Sequence, residues 1–514
     1  MSSSFKHDYT RVSSAKTMVG HTIWNMIGMG LPVLVGLVAF PIMLNERYGF
    51  GKERLEIIGL IWMLVGFSSI FDMGLGRALT KIFTDRLSLK KQDELSGLFW
   101  TTIIMVVCLG AVIGVLISII APIFVTRGLN SVLGIEVKKA FFVVGCAMPV
   151  IILNVSLVGV LQACRRFKLI NLIRFPAGSF IFLAPLCVLP FTKNIFVAVL
   201  VLVTGRLLET LVYFIGCLKA QPVLGSGVKI ETKEIRELFG FGGWMTMSNV
   251  AVSLMTHVNR FLIRIFRKIG EGAYYLVPEE IVVRLLMLPR AWIDVLFPEF
   301  VTSFHNDRDN TDELFERGVK YLILAMVLPV LLITAFSYEV FCIWLPDGEL
   351  FAEKSFLVMK FLTIGVFIHG IARVVWYFIQ AAGRPDLSAW LHLVEFLLYV
   401  VGASCLVIKY GINGAAAAWL IRVSFDLVFL CVIAARFLKN AFRVMLKMGL
   451  LLAFSIVMII LASAPESLLS RALWCVSGSI LFYALSWRLA FSSNERKGFI
   501  GEIRSILTGF KTGQ

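Results

Sequence analysis

Between Val19 and Ala490 the chain is a succession of apolar stretches of about 20 residues, broken only by short polar connectors. A stretch of that length in hydrocarbon must satisfy its own backbone hydrogen bonds, and the α-helix does so within one segment. Roughly fourteen such stretches occur. The first twelve lie near 19–44, 55–76, 96–121, 140–163, 171–191, 194–217, 238–263, 273–301, 318–345, 355–382, 386–408 and 411–435, with two more near 444–463 and 471–490. With 58% hydrophobic and 16% charged residues and a mean hydropathy of +0.86, a soluble globule is excluded. The fold expected is an all-α polytopic membrane protein, and the connectors leave no room for a soluble domain.

The net charge of +16 does not point to nucleic acid, because the Lys and Arg are scattered among apolar spans and gather in short connectors. Lys6, Arg11, Lys16, Arg86, Lys90, Lys91, Arg165, Arg166, Lys168, Lys233, Arg436 and Lys439 fall on one side and outnumber the basic residues opposite. That bias places both termini in the cytoplasm. Residues 1–18 are polar and the first apolar run is full length, so no cleavable signal is expected. One group, Arg264, Arg267 and Lys268, lands on the outer side, where it marks either a functional rim or a slipped span. Nine singly placed cysteines read as small core residues, with no disulfide, metal or cofactor implied.

The chain also echoes itself at an offset of roughly 220 residues. Leu161-Gln162-Ala163, Arg166 and Leu169 reappear as Ile379-Gln380-Ala381, Arg384 and Leu387; Asn25, Asp72, Arg206 and Glu209 are answered by Asn249, Asp294, Arg422 and Asp426. The organisation expected is a first lobe of six helices (1–218), a cytoplasmic linker (219–237), a second lobe (238–436) and two trailing helices with a tail (437–514). Paired bundles of this kind hold a substrate between their halves.

Arginines lie inside these spans: Arg206, Arg260, Arg284, Arg290, Arg373 and Arg422. Each costs about 3 kcal/mol to insert on translocon scales, so such groups line polar cavities rather than face lipid. A cationic interior implies an anionic ligand. Helical spacing then sorts the candidates. Asn249, Ser253, His257, Arg260 and Arg264 form one ribbon on the seventh span, expected to face water. His369, Arg373, Gln380 and Arg384 form another on the tenth, and Glu280–Arg284 and Arg290–Asp294 are pairs four apart on the eighth. Arg206 with Glu209 and Arg422 with Asp426 can neutralise one another and read as structural. Arg260, Arg284, Arg290 and Arg373 remain as guanidinium forks suited to phosphate oxygens. Asn25, Asn249, Ser253 and His257 are candidates for the polar remainder of the ligand; Asp72, Arg77, Glu280, Asp294 and His369 are candidates for ion coupling or gating.

The run Phe71-Asp72-Met73-Gly74-Leu75-Gly76-Arg77-Ala78-Leu79 resembles the signature after the second helix of polysaccharide and O-antigen flippases of the multidrug/oligosaccharidyl-lipid/polysaccharide (MOP) exporter superfamily. Val258-Asn259-Arg260-Phe261-Leu262-Ile263, Gly270, Gly272, Tyr274, Leu288-Pro289 and Phe297-Pro298 are similar to that family's seventh and eighth helices. This chain departs from it in carrying Asn259 where the family commonly has Asp, and in its basic cluster at Arg264, Arg267 and Lys268. The resemblance implies two pseudo-symmetric six-helix lobes plus two helices, as in MATE-like exporters. It also implies translocation of an undecaprenyl-diphosphate-linked oligosaccharide from the cytoplasmic to the periplasmic leaflet of a bacterial inner membrane, with membrane lipids and polysaccharide polymerase or assembly proteins as partners. A peptidoglycan-precursor flippase and a multidrug exporter are the neighbouring readings. A polytopic glycan polymerase or ligase is the enzymatic alternative, disfavoured because the outer connectors near 45–54 and 122–139 are short and lack an acid/base constellation.

Overall fold

The computed structural model describes residues 34–66 and 75–489, except 90, 92, 165, 226, 229, 307–310, 464 and 466, together with 32, 491 and 496. No strand occurs among the described residues. The chain divides into two compact units, Met1–Gly243 and Trp244–Gln514. The division falls inside a helix, so the segment between the sixth and seventh spans goes with the first unit.

The first unit contains α1 (Leu34–Leu44), α2 (Gly51–Gly66), α3 (Leu75–Ser88), α4 (Asp93–Val125), α5 (Ser131–Ala163), α6 (Phe167–Val188) and α7 (Ile195–Ala220). Its tightest packing is α4 against α5. Gly110, Gly114 and Ser118 are spaced four apart and make one small-residue stripe on α4, and Gly145 and Pro149 of α5 lie against it. A Cβ on Gly114 would collide with the Gly145 carbonyl, and one on Gly145 with the Gly114 carbonyl. Glycine is what lets these backbones touch. Gly114→Leu is therefore expected to cost about 3 kcal/mol of stability, read as a lower unfolding temperature in detergent. Gly134→Leu, on the same helix pair but with open space around it, should leave that temperature unchanged.

The linker is strapped to this unit. Trp100 Nε1 donates to the Leu224 carbonyl (3.0 Å), Ser96 Oγ to the Gly227 carbonyl (3.0 Å), and the Glu231 N–H to Thr101 Oγ1 (3.1 Å). Buried Arg86 grips Glu234 with both terminal nitrogens, at 3.0 and 2.6 Å.

The second unit continues through α8 (Thr232–Phe266), α9 (Ala273–Val282), α10 (Met287–Asn306), α11 (Thr311–Ala335), α12 (Ser337–Trp344), α13 (Gly348–Ala381), α14 (Pro385–Ala434), α15 (Ala441–Leu461) and α16 (Leu468–Leu489). Its hub is α13, whose spanning window is 72% buried against α9–α12 and α14. The eighth span is broken. Pro289 has no N–H and its ring crowds the carbonyl four residues back, so Val283–Leu286 tightens to a 3₁₀ turn between α9 and α10.

What runs as one element from Pro385 to Ala434 is a hairpin of two spans that turns at Gly411, with φ 64° and ψ −139°. Glu395 meets Arg422 and His392 meets Asp426, so the two arms are antiparallel. Gly411 needs its missing side chain twice over: the conformation is left-handed, and the Arg267 guanidinium stands 3.3 Å from where a Cβ would be. The basic cluster after the seventh span thus has a structural place. Arg264 is buried, Arg267 pairs with Glu271 at 2.8 Å, and α8 ends at Phe266 before α9 starts at Ala273.

Nine helices among the described residues are long and apolar enough to cross a membrane. Their outward faces carry exposed aliphatics such as Val112, Ile119, Leu397 and Leu398, as expected of helices whose solvent is hydrocarbon.

Candidate functional site

The candidate residues described in the second unit fall in three groups. The first joins α8 to the broken eighth span. Arg260 Nε donates to Glu279 Oε2 at 2.6 Å and its Nη2 to Glu280 Oε1 at 2.8 Å, while Arg284 Nη2 donates to Glu280 Oε2 at 3.0 Å. His257 Nδ1 lies 3.9 Å from Glu279 Oε1. Two guanidiniums thus face two carboxylates.

This corrects the expectation of a water-facing ribbon on the seventh span: His257, Arg260 and Arg264 are only 4%, 7% and 4% exposed. Periodicity grouped them correctly on one face, but that face packs onto α9 rather than water. A charge inserted there is held by a partner charge, as desolvation demands. The Glu280–Arg284 pair forms as its spacing predicts; Glu279, the closest partner of Arg260, was not singled out by sequence.

Asn259 sits beside this group, fully buried. Its amide nitrogen donates to Tyr275 Oη (3.0 Å) and to the Ala415 carbonyl (3.1 Å), and its amide oxygen accepts from Tyr399 Oη (2.9 Å). The amide both gives and takes, so it ties α8, α9 and both arms of the α14 hairpin. An aspartate could not donate to the Ala415 carbonyl.

The second group lies on the hairpin. Arg422 Nε donates to Glu395 Oε1 at 2.7 Å, Nη2 is 3.9 Å from Asp426 Oδ2, and His392 Nε2 is 3.3 Å from Asp426 Oδ1. Sequence paired Arg422 with Asp426 on one helix; the closer partner is Glu395 on the other arm. Arg206 and Glu209 do pair with each other at 2.7 Å. Among the described residues one trio, His392, Glu395 and Asp426, brings metal-type donor atoms within 4.8 Å of one another. The Arg422 guanidinium is seated against two of the three, so a fixed positive charge already balances those oxygens.

The third group is where α10 crosses α13. The Pro289 ring comes within 3.0 Å of where a Cβ on Gly370 would be, and Phe297 meets Tyr377 edge-on at 5.7 Å, so the two helices run parallel. Arg290 and Arg373 each lie within a turn of that crossing. Arg373 is half-buried and its Nε is a buried donor with no hydrogen-bond partner among the described residues. Arg290 is exposed, and no ion pair to it occurs among the described residues. His369, one turn before Arg373, is buried, rests 6.2 Å from the Trp419 ring, and lies within electrostatic reach of Arg373, Arg422 and Asp426.

The guanidinium groups expected to act together are therefore of two kinds. Arg260 is consumed by Glu279 and Glu280, and Arg284 is half-exposed and shares Glu280. Arg290 and Arg373 are the ones with capacity to spare. The remaining candidates, Asn25 and Asp72, and the side chains of Arg77, Asn249, Ser253 and Asp294, lie outside the described residues.

Comparisons with known proteins agree with this architecture. The protein of Shigella flexneri named "Putative O-antigen transporter" is 27% identical over 421 residues, covering 80% of this chain and 97% of that one. Among solved structures, the lipid II flippase MurJ in an inward closed conformation superposes with a TM-score of 0.69 at 14% identity, covering 91% of this chain and 99% of that one. An inward-facing multidrug resistance MATE family transporter of the MOP superfamily superposes with a TM-score of 0.66 at 13% identity, covering 80% and 96%. These two likenesses establish the fold. A model of the polysaccharide biosynthesis protein family matches residues 17–304, more than half the chain, so this protein belongs to that family and is built on the fold of the MOP-superfamily transporters.

Proposed function

We propose that the protein carries an oligosaccharide linked to undecaprenyl diphosphate from the cytoplasmic to the periplasmic leaflet of a bacterial inner membrane, by alternating access and with both termini in the cytoplasm. The observation that carries this reading is Arg373, a guanidinium set among buried neighbours with an unused donor, on a helix packed against the one that carries Arg290. A diphosphate supplies the oxygens such forks bind bidentately, and the low dielectric strengthens the contact. Family membership and the Shigella flexneri relative support a glycan as the cargo. Arg284 completes the diphosphate contacts, and Arg260 positions Glu280 and Arg284 rather than touching substrate. Nothing in this account makes or breaks a covalent bond; the product of an upstream glycosyl transfer is handed to the partners that polymerise it.

The neighbouring reading is a lipid II carrier, favoured by the likeness to MurJ. Complementation separates the two. Expression in a strain lacking its own O-antigen translocase is expected to restore long-chain surface glycan, and expression in a strain depleted of its lipid II flippase is expected not to restore growth. The reverse pattern would assign the protein to peptidoglycan precursors.

A further inference from the structure

We infer that Glu395 and Asp426, on the two arms of the α14 hairpin, share one exchangeable proton, which makes this hairpin a proton-coupling site within the second unit. Their carboxylate oxygens and a ring nitrogen of His392 lie within 4.8 Å of one another. Arg422 gives those oxygens a fixed positive charge, with Nε 2.7 Å from Glu395 Oε1 and Nη2 3.9 Å from Asp426 Oδ2. One guanidinium, however, meets two carboxylates. Their other ion-pair partner among the described residues is His392, whose Nε2 is 3.3 Å from Asp426 Oδ1 and which is charged only when it holds a proton itself.

Depth makes that shortfall costly. Glu395 lies about 15 Å along its arm from Pro385, and the side chains of Glu395, Arg422 and Asp426 are only 12%, 2% and 4% exposed. Two carboxylates this close, away from water and facing one cation, do not both stay ionised; a proton taken from water by one of them restores the balance. Glu395 Oε2 is a buried acceptor without a hydrogen bond among the described residues, and its residue is the one of the three that solvent reaches most. The other groups facing the pair do not supply the missing charge. From α13 His369 approaches Asp426, and Arg373 bears on His369. Tyr399 and Cys431 bring a hydroxyl and a thiol from the hairpin itself. From α8 comes the neutral Asn259 amide, bonded to Tyr399, and from α9 comes Glu279, which Arg260 holds. The repeat does not force this shortfall: at the matching place on α6 and α7, Arg174 and Arg206 stand with Glu209 around Tyr213, two guanidiniums to one carboxylate. Chains of ionisable groups inside spanning helices serve as proton relays.

Infrared titration of the purified protein tests this through the carbonyl band of protonated carboxyl groups. At neutral pH the wild type is expected to hold one more protonated carboxyl than Glu395→Gln, and one more than Asp426→Asn, because in either variant the carboxylate left behind is matched by Arg422. Arg422→Gln should hold one more than the wild type. Both single changes are close in shape to the native side chain and leave one carboxylate to one guanidinium, so folding is expected; if one fails to fold, the other gives the same reading. Equal counts in the wild type and the folded variants overturn the inference. Sodium ions displacing the proton at constant pH also overturn it, by giving the trio to a metal ion. The coupling role rests on the transport reading above: in liposomes, headgroup movement should respond to an imposed pH gradient in the wild type and not in Glu395→Gln. A wild type that moves headgroups with no response to the gradient contradicts the coupling role, whereas a protein that moves none contradicts the transport reading and leaves the infrared count to decide the proton site.

Discussion

Arg373→Ala is expected to reduce glycan export about ten- to a hundredfold while the protein still folds and reaches the membrane. Charge-assisted hydrogen bonds to a group such as a diphosphate contribute about 1.5–3 kcal/mol, and each 1.4 kcal/mol is a factor of ten in affinity. Removing this side chain orphans no carboxylate, because its Nε has no partner among the described residues, so stability should change little. Arg373→Lys keeps the charge but not the fork and should fall between the two. Arg290→Ala should weaken export less, since this guanidinium is exposed and its phosphate contact is partly screened by water. Export measured as surface glycan, normalised to the folded protein recovered in membranes, separates these outcomes. Full export by both alanine variants would remove the α10–α13 crossing from consideration.

Arg260→Ala has the opposite signature. It strips the shared partner from two carboxylates, Glu279 at 2.6 Å and Glu280 at 2.8 Å, in surroundings where an unpaired charge cannot be hydrated. Breaking such a buried pair by deleting one member costs about 3–5 kcal/mol. The expected result is loss of folded protein rather than a folded, inactive carrier, read as a fall in monodisperse material and in apparent Tm. The double change Arg260→Met with Glu279→Gln should recover much of that loss, because charges leave together. A stable Arg260→Ala protein with abolished headgroup binding would instead return Arg260 to the substrate contacts.

The contrast between these two arginines also shows how far the sequence could be read. Apolar runs of spanning length, ended by polar connectors, located the helices closely: the sixth span expected at 194–217 is Ile195–Ala220, and the two expected at 386–408 and 411–435 are the arms of the hairpin broken at Gly411. Local pairs were equally legible, because residues three or four apart on one helix must be neighbours; Arg206–Glu209 and Glu280–Arg284 are both formed. Partnerships between helices were not. Arg260 meets Glu280 twenty positions on and Arg422 meets Glu395 twenty-seven positions back. Periodicity says which residues share a face but not which face meets it, so a ribbon expected to be wet turned out to be packed. A signal that could have reached past this limit is the hairpin, where His392 and Glu395, neither singled out by sequence, sit three apart on one arm and Arg422 and Asp426 four apart on the other.

The central claim is that this chain moves a diphosphate-linked glycan across a bilayer. Purified protein in liposomes bearing a fluorescent undecaprenyl-diphosphate oligosaccharide tests it most directly, with headgroups on the outer leaflet counted by an impermeant quencher. The wild type is expected to move labelled headgroups between leaflets far faster than protein-free liposomes, and Arg373→Ala to run about ten- to a hundredfold slower than the wild type. A wild-type rate no higher than that of bare lipid, or an Arg373→Ala rate equal to wild type, would contradict the account.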